Sequence, residues 1–273
     1  MLRTRLITAA VLLALFLPLV LWAGPRGFGA GMAVFSALGM WEWARLAGMR
    51  SWRAVAWALA WLLAVAAVLA GALPAVVTES VLALAALAWL GLLAGSLPRA
   101  ALPGWLGTPL VASALGFVVL FAAWLALWHA RSLGVGFLLS VLLLVWIADV
   151  AAYFGGRALG GPRLAPRISP GKTVSGAVCG VLAVVAYAAV CARLPALSDT
   201  LGARLAARWG LGGSLLAAGA LATLSVAGDL FESLLKRRAG VKDSSTLLPG
   251  HGGVLDRVDA LLPVLPMVML LLP

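Results

Sequence analysis

Apolar residues fill this chain in stretches long enough to cross a bilayer, and charge rarely interrupts them. The stretches fall at 6–22, 29–48, 53–73, 79–95, 108–129, 133–154, 173–192, 208–233 and 258–272. A spanning helix needs about 20 such residues, so nine helices use up nearly the whole length. The runs are continuous in Leu and Ala and lack the alternation of barrel strands. Of the 273 residues 64% are hydrophobic and 11% charged, whereas soluble domains average about 45–50% and about 25%. A soluble globule, a disordered chain and a disulfide scaffold are excluded. Cys179 and Cys191 share one apolar run and read as buried, inert thiols. The expected fold class is all-α: a polytopic integral membrane protein with about nine transmembrane helices.

Arg3 and Arg5 ahead of the first run imitate a signal peptide, but Leu21 and Trp22 occupy its cleavage region, so it reads as a retained first helix. With the N-terminus inside, fifteen Lys and Arg fall on the inner segments and five on the outer ones. That bias predicts N-in, C-out. Residues 1–132 then form about five N-terminal helices. Residues 133–273 form a C-terminal region with two long cytoplasmic loops, 155–172 and 234–257. The net charge of +11 reports topology and contact with anionic lipid. Because the basic residues are spread over loops between spans, no nucleic-acid partner is expected.

The two long loops and the helix ends beside them hold most of the chemistry. All three lysines, Lys172, Lys236 and Lys242, lie in these loops, against seventeen arginines in the chain. Asp229, Glu232, Ser233 and Lys236 share one face at the end of the eighth span. Asp149 lies inside the sixth span with Tyr153 one turn later, and an intramembrane Asp is a functional candidate. Glycines around His251 allow backbone amides to approach a phosphate. Asp256 and Asp259 follow at i,i+3. Ser169-Pro170-Gly171-Lys172-Thr173 resembles a P-loop, but Pro166 stands where that pattern needs Gly. A lysine and hydroxyls at a helix start remain, a place for an anion. Gly176-x-x-x-Gly180 reads as close packing of neighbouring helices before dimerisation. Carboxylates suit Mg²⁺, clustered Lys and Arg suit phosphates, and nothing suits zinc. Phosphoryl or nucleotidyl transfer at the lipid–water boundary follows.

The segment Ser233-x-x-Lys236-Arg237-x4-Lys242-Asp243-x-Ser245-x2-Leu248-Pro249-x-His251-Gly252-Gly253-x2-Asp256-Arg257-x-Asp259 resembles the signature of the phosphatidate cytidylyltransferase (CDP-diacylglycerol synthase) family. It does so over 27 ungapped residues. Asp149 with Tyr153, Ser169 to Thr173 and the approach from Gly228 also resemble family features. Val174-Ser175 departs from the Trp-Glu often found there, and the first 140 residues match in hydropathy alone. The resemblance implies transfer of a cytidylyl group from CTP to phosphatidic acid at the cytoplasmic face of the plasma membrane. Asp229, Asp256 and Asp259 would hold Mg²⁺, with a second cation and a homodimer left open. Lys236, Arg237, Lys242 and Arg257 would neutralise phosphates, with Asp243 among them. Lys172 and Ser169 would close the site, and Asp149, Ser233, Gly252 and Gly253 would contact substrate. His251 would bind phosphate or order its loop. A secondary transporter coupling ions through Asp149 and Asp229 would want inverted repeats and paired broken helices, and the sequence has neither.

The charge bias makes a direct prediction. Single cysteines in the 234–257 loop and at Ser198 are labelled by an impermeant thiol reagent from opposite sides of the membrane; labelling from one side refutes the orientation.

Overall fold

In hydrocarbon a backbone satisfies its amides only within its own helix or a closed barrel, and helices account for most of the described residues. The computed structural model describes residues 2–72 and 74–272; Met1, Pro273 and Leu73, the last residue of the predicted 53–73 span, lie outside them. The helices are α1 (Leu2–Leu21), α2 (Pro25–Leu46), α3 (Ser51–Leu69), α4 (Ala75–Ser96), α5 (Pro109–Ser132) and α6 (Val135–Leu159). After a hairpin of β1 (Arg163–Ala165) and β2 (Ser169–Thr173) come α7 (Val174–Arg193), α8 (Leu201–Arg238), α9 (Leu255–Val258) and α10 (Leu261–Leu271).

Seven of the described helices, α1 and α3 to α8, are long and apolar enough to cross a membrane. Two of the nine expected spans fall short of that standard. α2 has the length, 22 residues, but Glu42 and several glycines dilute its apolarity. α10 is apolar but only 11 residues long, about 16 Å of helix.

The fold is all-helical as expected, and the expected 155–172 loop holds its one short hairpin among the described residues. α6 continues to Leu159, and the hairpin then pairs Arg163 with Thr173 and Ala165 with Ser169, antiparallel across a bulge. Strands this short and polar carry no alternating apolar pattern, so hydropathy could not announce them. Thr173 ends β2 and caps α7, its hydroxyl accepting from the Gly176 amide at 3.1 Å. α8 also exceeds its predicted 208–233: it starts at Leu201, bends at Gly210 (φ 72°) and runs on to Arg238.

Buried tryptophans tie the two halves of the chain together. The indole N–H of Trp43 donates to the Ala112 carbonyl at 2.8 Å and that of Trp124 to the Gly29 carbonyl at 2.9 Å, fastening α2 to α5. Phe231 of α8 stacks on Trp43 (6.3 Å) and meets Trp89 of α4 edge-on (5.3 Å). The hydrophobic core is therefore continuous from α2 to α10. This is what fixes the end of α8 against α2.

Gly176 and Gly180 face α6 across a gap that leaves no room for a side chain. A Cβ at 176 would stand 2.6 Å from the Ala152 carbonyl oxygen, and one at 180 would stand 2.8 Å from that of Ala148. The motif packs α7 on α6 within one chain, as the sequence suggested. Gly180→Leu should lower the thermal unfolding temperature in detergent by an amount matching about 3 kcal/mol. Gly91→Leu, where nothing lies within 4 Å, should leave it unchanged.

Candidate active site at the end of the eighth helix

The polar stripe of α8 meets partners from two other segments. Lys172 of β2 reaches Asp229, Nζ to Oδ2 2.5 Å, with both side chains about a third exposed or less (27% and 30%). Ser233, one turn on, donates its hydroxyl to Asp229 Oδ1 at 3.3 Å. Lys236 lies between the Glu232 carboxylate and Asp256 Oδ1, 2.5 Å from the latter. Its side chain is 12% exposed, that of Glu232 2% and that of Asp256 6%. Asp229 and Lys236 share a helical face as expected, but each pairs elsewhere. The charge partner of Asp229 comes from the hairpin, and that of Lys236 from its own helix and from the signature loop.

That loop folds around carboxylates. Asp256 Oδ2 accepts from the Ser244 amide (2.9 Å), the Ser244 hydroxyl (2.9 Å) and the Gly253 amide (2.8 Å). Burial works against the charge on Asp256. The Gly253 amide, Lys236 and the Ser244 amide outweigh it and hold the carboxyl below its ordinary pKa. Fully buried Glu42 of α2 accepts from the Ser245 hydroxyl (2.5 Å), the Ser244 hydroxyl (3.1 Å), the Val254 amide (2.9 Å) and the Leu255 amide (2.7 Å). The expected role of Gly253 changes accordingly: its amide is directed at Asp256 and not at an open phosphate cradle. Sequence reasoning placed Glu232 on the polar face of the eighth span without giving it a role, and passed over Glu42 and Ser244. The signal for Glu42 was its place inside the apolar 29–48 run, the argument applied to Asp149 alone.

The remaining predicted residues divide between this cluster and its rim. Asp149, on α6, lies within reach of the charges of Asp229 and Lys172. Tyr153 accepts from Arg157 at 3.2 Å and does not pair with Asp149. Asp259 feels Asp229, Lys236 and Lys172, and its Oδ1 accepts from the Ala260 amide at 2.8 Å. His251 is half-buried, and its carbonyl accepts from Arg257 at 2.8 Å. Gly252 closes the loop by accepting from the Leu248 amide, also at 2.8 Å. Ser169 lies in β2 opposite Ala165, while Lys242 and Asp243 are exposed. Arg237 turns away from Lys236 and donates to the Ile168 carbonyl at 3.4 Å. With Arg167 and Arg238 it lines a separate cleft of about 400 Å³ against residues 100–107.

Asp149, Asp229, Glu232, Asp256 and Asp259 act on one another's charges around Lys172 and Lys236. Carboxylates outnumber ammonium groups here, and all the acidic donors are hard oxygens, a set that fits a divalent cation such as Mg²⁺. Among the described residues no three of His, Cys, Asp and Glu already converge on one point as a metal site would require.

Removing Lys236 strands two buried carboxylates. Lys236→Met should therefore destabilise the protein by about 3 kcal/mol, and Glu232→Gln in the same chain should recover part of that. Lys172→Met, at a more exposed pair, should cost about 1 kcal/mol or less. Thermal unfolding in detergent measures all three, and equal losses for the two lysines would contradict the assignment.

The family described as "Cytidylyltransferase family" matches residues 3–273. A phosphatidate cytidylyltransferase of Pseudomonas aeruginosa is 39% identical over 275 residues, covering 100% of this chain and 97% of the relative. One from Brucella suis is 39% identical over 269 residues, covering 95% of this chain and 89% of the relative. One from Haemophilus influenzae is 34% identical over 287 residues, covering 97% and 96%. With the match running from the first helix to the last and the signature residues gathered at the end of α8, the chain belongs to the cytidylyltransferase family.

Proposed function

We propose that this protein is a phosphatidate cytidylyltransferase, converting CTP and phosphatidic acid into CDP-diacylglycerol and pyrophosphate. The observation that carries the reading is the convergence of the 233–259 signature with Lys172 and Asp229, beside an apolar groove. That groove encloses about 880 Å³ and is lined by Leu12, Phe16, Leu38, Trp124 and Leu261, with Arg257 among its walls. An amphiphile with an anionic head matches it: acyl chains along the groove, phosphate toward Arg257. Bacterial relatives and the inward charge bias support a plasma-membrane protein whose α8 end faces the cytoplasm.

In the reaction an oxygen of the lipid phosphate attacks the α-phosphorus of CTP. A new P–O bond forms there, and the bond to the bridging oxygen of the β-phosphate breaks, releasing pyrophosphate. The nucleophile is already an anion near neutral pH, so no strong general base is needed. Lys236, Lys172 and Arg257 supply positive charge for the triphosphate and the lipid head, with Lys242 at the rim. Asp229, Asp256 and Asp259 would hold Mg²⁺. When bound, Mg²⁺ offsets charge developing on the pyrophosphate. Ser233 orients Asp229, and His251 shapes the loop through its backbone.

Purified protein given radiolabelled CTP and a panel of lipid phosphates should form a CDP-lipid with phosphatidic acid. Product only from a polyprenyl or archaeal-type lipid phosphate would reassign the acceptor. Asp229→Asn should abolish transfer, and Asp229→Asn/Lys172→Met should stay inactive. Near-wild-type turnover by Asp229→Asn at saturating Mg²⁺, or activity regained in the double variant, would leave Asp229 as an ion-pair partner alone.

A further inference from the structure

Glu42 lies on α2, far outside the 233–259 signature, yet it makes more hydrogen bonds to the signature loop than any other described residue outside it. Its carboxylate is fully buried. Each oxygen accepts one backbone amide and one hydroxyl: Val254 and Ser245 on Oε1, Leu255 and Ser244 on Oε2. All four donors come from residues 244–255, about 200 positions away in sequence. A Cβ on Gly253 would collide with Glu42 and the Ser244 hydroxyl, so the second glycine of the His-Gly-Gly run is where the loop presses onto this carboxylate. Ser244 also donates to Asp256, which Lys236 holds to α8. Glu42 itself cannot shift, because neighbouring Trp43 is buried, bonded to the Ala112 carbonyl and stacked on Phe231 of α8.

We propose that Glu42 is a positioning residue for cytidylyl transfer. It sets the 244–255 loop, and through Ser244 the Asp256 carboxylate, in register with Lys236 and Asp229. This rests on the loop belonging to the active site as proposed above. Glutamine at 42 keeps the shape but turns an NH₂ toward donors; a hydroxyl can rotate to accept from it, whereas a backbone amide cannot. The loop then loses at least one anchoring bond to a charged group.

The test uses the full-length protein in detergent without its two native cysteines, carrying Thr246→Cys in the loop or Ser198→Cys far from it as a reporter. Glu42→Gln should lower kcat about tenfold or more while KM for CTP changes less. Thiol labelling at position 246 should accelerate, with labelling at 198 and the unfolding temperature unchanged. Ser245→Ala, which removes one donor, should show the same pattern at smaller size and decides the matter if Glu42→Gln does not fold. Wild-type kcat with unchanged labelling at 246 overturns the proposal. So does a loss in which both reporters accelerate, since that marks general unfolding. Labelling needs no turnover, so a protein with no cytidylyl transfer at all would refute the functional reading and leave the loop anchor still decided.

Discussion

Lys236 stands between two carboxylates that an apolar bundle could not otherwise hold. Glu232 is nearly sealed from solvent and Asp256 is little more accessible, and an uncompensated charge in such surroundings costs several kcal/mol. One ammonium group serves both, which ties the signature loop to the end of α8 and brings Asp259 within reach of the charge on Asp229. Once the loop is there, its own amides complete the solvation of Asp256. The hairpin answers the same requirement from the other side, delivering Lys172 to Asp229. The site is thus assembled by charge neutralisation where packing leaves Glu232 and Asp256 little water to do it.

The N-terminal helices acquire a purpose in this light. α2 is long enough to span a membrane but not apolar enough, and the residues that dilute it include Glu42, whose carboxylate is solvated by donors of the signature loop. The tryptophan next to it fastens α2 to α5 and α8. The N-terminal half therefore supplies a floor for the signature loop, and α1, α2, α5, α6 and α10 together enclose the apolar groove beside it. Under the proposed function, lipid binding and nucleotide chemistry would share walls in this arrangement, as a reaction joining a water-soluble triphosphate to a membrane phosphate requires.

Parts of this were legible in the sequence because they depend on local pattern. Runs of Leu and Ala marked the helices, Gly176 and Gly180 marked a close helix contact, and the spaced Ser, Lys, Asp, His and Gly of 233–259 marked the family. The hairpin was not legible, since three- and five-residue strands with Arg, Ser, Gly and Lys in them leave no periodic trace. The direction of the loop amides was not legible either. Glycines beside a histidine permit a phosphate cradle, but the same freedom let them close on Asp256 and Glu42.

The sequence by itself determined that this chain is helical, belongs in a membrane and carries carboxylates and lysines at one end of α8. Those properties follow from residue type and short-range spacing, which act wherever the chain goes. Only the tertiary structure decided which lysine neutralises which carboxylate, that Arg237 faces a different cleft from Lys236, and that Glu42 anchors a loop 213 residues from it. Pairings of that kind are chosen by the packing of whole helices, because a buried charge must take whichever partner the fold brings within reach, and no local pattern records that choice.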